Sequence, residues 1–258
     1  MSETNFSESA VGGTPSFDAA SSGTVYVIDF DFTSADQRTI LSYLQVNNYS
    51  LMGYKGATGT NQISSGLPTW FAMPYAQMFG NVEIDYEPIY KVYVYNQANI
   101  ATNTTIQMQC LSMEIPLGTA VQFNQDGTFS VVGSANPGTI TVLNNRPAGT
   151  SNITFGLAAK VNGSYAPFCA FTATPQGSVS MQPNEKVCLF AAQTHTMSGT
   201  VVGSAVASGC TFQFSASNKE YDLQMIASTY GMTNVPGSSP VTQIYPGTSL
   251  TQLLNTPS

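Results

Sequence analysis

Apolar and polar residues alternate along several stretches of the chain. In residues 24–32, TVYVIDFDF, every second side chain is large and apolar: Tyr26, Ile28, Phe30 and Phe32. Residues 104–115 and 152–161 alternate in a similar way. Successive side chains of a β-strand point to opposite faces, so a period of two predicts strands with one buried face. The pattern therefore predicts an all-β protein.

Turn signals and strand lengths indicate how these strands are arranged. From residue 119 onward, short alternating segments are separated by turn sequences such as Asn162-Gly163, which favours a two-residue hairpin. Short strands joined by short turns predict an antiparallel β-sandwich. One short helix is predicted over residues 33–45, where Thr33 precedes an apolar stripe and serves as the N-cap.

The distribution of charge predicts a boundary near Pro116. Residues 1–115 contain ten acidic and three basic residues, whereas the remainder contains four of each. A change of this kind suggests two packed β units. The Gly-rich residues 47–68 are predicted to be irregular. The predicted organisation is a flexible N-terminal arm (1–23), a β unit with one helix (24–116), an antiparallel sandwich unit (117–227) and an irregular C-terminal tail (228–258).

Composition excludes several classes of partner. The net charge is −7, and the seven Lys and Arg residues are scattered singly, so nucleic-acid binding is not expected. No apolar run reaches the ~18 residues that a transmembrane helix needs. Residues 1–23 have neither a basic start nor an apolar stretch, so no secretion signal is predicted. We expect a cytoplasmic protein or one exported by an unconventional route.

Residues that could perform catalysis are few. His195 is the only histidine, and no nucleophile motif precedes it, so it is interpreted as an exposed loop residue. The four cysteines lack the spacing of metal ligands and are interpreted chiefly as small buried hydrophobic residues. The sequence therefore predicts no catalytic residues.

Acidic residues recur on two predicted strands. Asp29 and Asp31 share one strand face, and Glu83, Asp85 and Glu87 share one face of another. If the two strands are neighbours, the crowded carboxylates would raise a pKa or recruit a hard cation such as Ca²⁺. A cation site is predicted at Asp29, Asp31, Glu83 and Asp85. The alternatives are a solvated outer face of a sheet and a pair of acids that hydrolyses glycosides.

A dense group of aromatic residues follows the Gly-rich segment. Pro68 and Pro74 bracket part of it and disfavour a regular strand there. Aromatic rings either pack in a core or form a platform for a sugar or a flat ligand. A ligand-binding site is predicted at Trp70, Phe71, Tyr75, Phe79, Tyr90, Tyr93 and Tyr95. Core packing is the alternative.

Two stretches carry a resemblance to known proteins: residues 67–96, LPTWFAMPYAQMFGNVEIDYEPIYKVYVYN, and residues 166–193, APFCAFTATPQGSVSMQPNEKVCLFAAQ. They resemble β-sandwich proteins that are abundant in fungal fruiting bodies. That loose group includes sugar-binding lectins and pigment-carrying proteins. The resemblance implies a binding or storage protein without catalytic activity, and it transfers no site residue.

The first functional hypothesis is a non-enzymatic ligand-binding protein that forms a homo-oligomer. Its ligand would be a glycan or a small aromatic chromophore held by the aromatic group. The low charge and the polar ends also suit a structural or membrane-acting assembly, either a shell or a pore former. A glycoside hydrolase that uses the acidic residues is the third hypothesis.

Overall fold

The computed structural model of the protein describes residues 23–194 and 196–255. Residues 1–22 of the predicted N-terminal arm and the predicted loop residue His195 lie outside the described residues. None of the helices in this part of the chain is long and apolar enough to cross a membrane.

Strands occur along the whole described part of the chain. The strands are β1 (Tyr26–Asp31), β2 (Ser50–Gly59), β3 (Leu67–Pro68), β4 (Phe71–Pro74), β5 (Asn81–Tyr95), β6 (Cys110–Glu114), β7 (Thr119–Phe123), β8 (Phe129–Ser134), β9 (Ile140–Asn144), β10 (Ile153–Val161), β11 (Ser164–Pro167), β12 (Phe171–Ala173), β13 (Ser178–Ala192), β14 (Val201–Val202), β15 (Gly209–Gln213), β16 (Glu220–Met225), β17 (Met232–Asn234) and β18 (Thr242–Ile244). The helices are α1 (Ala35–Val46), α2 (Leu250–Leu254) and a single 3-10 turn at Tyr75–Gln77.

Two large sheets pack face to face. The first has the order β11–β10–β5–β1–β16–β17, with β12 beside β10 and β6 beside β5. The second has the order β18–β15–β13–β9–β7–β8, with β2 between β13 and β4. The all-β sandwich predicted from the alternation is confirmed. Most pairs are antiparallel, but β1–β16 and β7–β9 are parallel.

The main core lies between the two sheets. Ile28 and Phe30 of β1 are buried there with Leu51 of β2 and Leu189 of β13. A second apolar cluster covers the opposite face of the second sheet, where Leu250 of α2 packs beside buried strand residues. The larger sheets are therefore buried on parts of both faces, and simple alternation is lost in β2 and in the second half of β13.

The predicted boundary near Pro116 does not separate two β units. In the first sheet β5 pairs with β10, and in the second sheet β2 pairs with β13. Each sheet thus combines strands from both halves of the chain. Five of the ten acidic residues before Pro116 lie in the paired strands β1 and β5, and the uneven charge does not mark a domain boundary.

The C-terminal segment is more regular than predicted. Residues 228–255 contribute β17 and β18, which extend the edges of the two sheets, and α2, whose Leu250 and Leu254 are buried. The leucines near the end of the chain, set among polar residues, belong to one face of this short helix.

The predicted helix is present as α1. Its N-cap is Ser34 rather than the predicted Thr33. The Ser34 hydroxyl accepts a hydrogen bond from the Gln37 backbone N–H. The Thr33 backbone N–H instead donates to the Asp31 carboxylate at 2.7 Å. This hydrogen bond fixes the backbone between β1 and α1.

The cysteines are unpaired thiols. Cys169, Cys188 and Cys210 are buried, and Cys110 is half-buried. Burial raises the pKa of the Cys169 thiol to about 12, so this group stays protonated at neutral pH. The interpretation of these three residues as small buried hydrophobic groups is confirmed.

Candidate functional site

The predicted aromatic residues are mostly core residues. Of the seven, only Phe79 is largely exposed, at 72% of its surface. Trp70 is fully buried, donates from Nε1 to the Ala159 carbonyl at 3.4 Å, and meets the Tyr86 ring edge-on at 4.9 Å between centroids. Phe71 and Tyr75 are buried in the same inter-sheet core.

The aromatic residues also do not share one surface. Tyr90 points into the inter-sheet core, whereas Tyr93 and Tyr95 lie in a separate cluster on the opposite face of β5. The Tyr93 hydroxyl donates to the Cys169 carbonyl at 2.7 Å. The structure therefore does not assemble the predicted aromatic wall, because residues 90 and 93 project from opposite sides of one strand.

A polar network lies inside this core. Lys55 is fully buried and donates hydrogen bonds to the Asn184 carbonyl and, at 2.8 Å, to Glu185 Oε2. The other oxygen of Glu185 accepts from the Tyr90 hydroxyl at 2.8 Å, and the Tyr86 and Tyr90 hydroxyls are 2.9 Å apart. Burial lowers the pKa of Lys55, while the Glu185 carboxylate opposes that effect. Every polar group in the network has a partner, so the network joins the sheets rather than offering an open site.

A bulge in β13 places Glu185 in this network. The register of β13 against β2 shifts between Pro183 and Val187, so that three residues of β13 span a single residue of β2. A bulge of this kind redirects side chains. Here it turns Glu185 towards Lys55 and turns the Asn184 amide towards the Leu254 carbonyl.

The predicted acidic strands are neighbours. In the pairing of β1 with β5, Asp29 lies opposite Glu83, and Asp85 lies opposite Val27. Asp31 is displaced from this group, because its carboxylate accepts the hydrogen bond from Thr33 at the end of the strand. The structure thus brings together two of the four predicted residues, Asp29 and Glu83, as direct cross-strand partners.

Two further carboxylates complete the group from the other side of β1. In the parallel pairing of β1 with β16, Asp29 lies opposite Asp222, and Glu220 is two residues earlier on the same face. Carboxylate oxygens of Asp29, Glu220 and Asp222 lie within 4.8 Å of one another. We call Asp29, Glu83, Glu220 and Asp222 the acidic patch.

Sequence reasoning missed Glu220 and Asp222. Residues 221–227, YDLQMIA, form a segment too short for its apolar pattern to separate a strand from a helix, and β1 and β16 are distant in the sequence. The available signal was the alternation of Glu220 and Asp222 with buried Tyr221 and Leu223. That pattern predicts a strand with an acidic outer face.

The acidic patch perturbs its central residue. Partial burial, followed by the nearby charges of Glu83, Glu220 and Asp222, raises the pKa of Asp29 from 3.8 to about 6. The two ion pairs among the described residues, Lys55–Glu185 and Lys160–Glu87, do not involve the patch. The carboxylates of the patch are therefore held close together without a neutralising ion pair.

A polar cleft adjoins the patch. Its volume is about 470 Å³, within the range of ligand sites, and both Glu220 and Asp222 line it. The remaining polar lining comes from the turn before β16 and the loop between β17 and β18: Ser217, Asn218, Lys219, Ser238 and Ser239. The cleft thus joins carboxylates to hydroxyl and amide groups and to the basic side chain of Lys219.

Comparisons with known proteins do not assign this site. No family model, no curated protein and no solved structure matches the chain.

The raised pKa of Asp29 predicts a pH-dependent stability for the cation-free protein. Between pH 3.8 and about 6, the folded state binds more protons than the unfolded state, so stability falls as pH rises through this window. We expect Asp29→Asn to raise the free energy of unfolding by about 1 kcal/mol at neutral pH, after allowance for solvent screening. At about pH 4 the gain should disappear.

Denaturant unfolding of both proteins in a chelator, at about pH 4 and about pH 7.5, measures this difference. Asp31→Asn, two residues along the same strand, is the comparison variant: hydrogen bonds from Thr33 lower the pKa of Asp31, so this substitution should not raise stability at neutral pH. A gain for Asp29→Asn that is equal at both pH values would show that relief of charge repulsion is not its cause.

Proposed function

We propose that the protein is a non-enzymatic binding protein that holds Ca²⁺ at Asp29, Glu220 and Asp222 and a glycan in the adjoining cleft. The observation that carries this proposal is the spacing of the three carboxylates, whose oxygens lie within 4.8 Å of one another on two paired strands. Strand pairing sets this spacing, so the ligands are positioned before a cation arrives.

The chemistry of the patch favours a hard cation. Ca²⁺ takes six to eight oxygen ligands at about 2.3–2.6 Å and accepts irregular geometry. The three carboxylates supply part of that shell, with Glu83 beside Asp29 adding negative charge. A bound cation would also offset both the partial burial and the charge repulsion that raise the pKa of Asp29.

The cleft beside the acidic patch is the proposed binding site for the glycan. Hydroxyl groups of a sugar can complete the coordination shell of a cation that the protein binds incompletely. The Asn218 side chain lines the same cleft and offers hydrogen bonds to further hydroxyls, and the Ser238 hydroxyl, which donates to the Val235 carbonyl, can still accept one. A neutral, hydroxyl-rich ligand therefore fits this combination better than an apolar one, and no aromatic residue lines the cleft.

A glycan array probed with and without Ca²⁺ tests the proposal. We expect at least one glycan whose binding requires Ca²⁺ and weakens about tenfold or more in Asp222→Asn, because one charged ligand is lost. Asp126→Asn is the control, since Asp126 is an exposed turn residue outside the patch. The proposal fails if every glycan that binds in Ca²⁺ also binds in the chelator, and if the wild type and Asp222→Asn have the same affinity for Ca²⁺.

A further inference from the structure

Residues of the loop that follows β5 line two clefts. One, of about 490 Å³, is lined by Asn96, Gln97, Ala98, Asn99, Ser151 and Asn152. The other, of about 380 Å³, shares Ala98 and Asn99 with the first and adds three polar residues, Gln62, Ser64 and Thr172, and three apolar ones, Ile63, Ile100 and Ala101. We call these two clefts together the amide cleft. None of its lining residues belongs to the cleft beside the acidic patch.

The lining of the amide cleft has a distinct chemistry. It contains five side-chain amides, and neither a charged residue nor an aromatic ring lines it. Within residues 23–194 and 196–255, the amides of Asn99 and Asn152 make no hydrogen bond to another residue. Each exposed amide offers a donor and an acceptor side by side. Neighbouring hydroxyls of a saccharide present the same pair of functions.

Hydrogen bonds to neighbouring segments fix the backbone of the loop that follows β5. The Thr154 hydroxyl donates to the Gln97 carbonyl at 2.6 Å, and the Ser65 hydroxyl donates to the Ile100 carbonyl at 2.6 Å. The Asn96 backbone N–H donates to the Gln109 side chain at 2.8 Å. Because these contacts fix the backbone, little ordering of the loop would be required when a ligand binds.

We infer that the amide cleft is a second binding site, for a neutral saccharide, and that it works without a cation. The absence of charge from the lining gives no advantage to phosphate, carboxylate or ammonium groups. The absence of rings makes hydrogen bonding, rather than stacking, the basis of recognition. Asn99 contacts both halves of the cleft, so a saccharide of more than one residue can lie across the loop at this position.

Binding to an array of neutral oligosaccharides in a chelator tests this inference. We expect at least one to bind, and calorimetry with that oligosaccharide should show a loss of about tenfold for Asn99→Ala and for Asn152→Ala. Both residues are exposed, so the variants should fold. Asn136→Ala, which removes an exposed amide in the turn between β8 and β9 and outside both clefts, is the matched control and should bind like the wild type.

Two results would overturn the inference. One is the absence of binding to every neutral oligosaccharide in the chelator. The other is binding that neither Asn99→Ala nor Asn152→Ala weakens. Because the assay contains no free cation, its outcome is independent of the Ca²⁺ site: either proposal can fail while the other stands.

Discussion

Glu185→Ala is expected to lower the free energy of unfolding by about 3–5 kcal/mol. The variant leaves the Lys55 ammonium fully buried with only the Asn184 carbonyl and the neighbouring rings as partners. It also removes the acceptor of the Tyr90 hydroxyl. Urea unfolding monitored by Trp70 fluorescence measures the loss, since a single buried tryptophan reports the core directly.

Replacing the other partner of the ion pair, Lys55, should lower the free energy of unfolding by less. Lys55→Met fills similar space, and the Glu185 side chain, which is 25% exposed, can turn towards water. In Glu185→Ala the buried charge also makes stability rise with pH towards 10.5, because burial lowers the pKa of Lys55 below that value. Equal losses for the two variants, or a loss in Glu185→Ala that does not change with pH, would contradict this account of the ion pair.

Trp70→Ala is expected to destabilise the fold by about 3–5 kcal/mol. Trp70 is the largest fully buried side chain, and its removal opens a cavity beside Phe71 and Tyr86 between the sheets. The Nε1 hydrogen bond to Ala159 is also lost, although the long distance of 3.4 Å makes that a minor contribution. Thermal unfolding followed by circular dichroism measures the change.

Phe79→Ala is the matched control from the same aromatic stretch. Its ring is 72% exposed, so the free energy of unfolding should change by no more than about 0.5 kcal/mol. If Trp70→Ala instead retained wild-type stability and abolished the binding of a ligand, the residue would belong to a binding site rather than to the core.

Local sequence patterns predicted the strands that bury one face. They did not predict strands whose structure depends on contacts with residues distant in the sequence. Strand β1 and the helix α1 follow directly from their periodicity. Strand β2 was predicted to be irregular because it is rich in glycine. Its glycines allow close packing: a Cβ at Gly53 would lie 2.3 Å from the Phe71 ring, and one at Gly56 would lie 1.9 Å from the Leu254 carbonyl. Those partners are not visible in the local sequence.

Two of the four residues of the acidic patch were predictable, for the same reason. Asp29 and Glu83 were found because each lies on an alternating strand with acids on one face. Their adjacency to Glu220 and Asp222 depends on a parallel pairing between distant strands, which no turn signal specifies. The aromatic stretch shows the converse: its composition is compatible with both a core and a ligand site, and the burial of Trp70 and the opposite orientations of Tyr90 and Tyr93 on β5 show core packing.

Anomalous X-ray scattering from crystals soaked in Ca²⁺ tests the proposed function most directly. The account predicts one peak at about 2.3–2.6 Å from carboxylate oxygens of Asp29, Glu220 and Asp222. The same soak of Asp222→Asn crystals should show this peak weakened or absent. A wild-type structure with Ca²⁺ bound elsewhere, and none at these three carboxylates, would contradict the proposal.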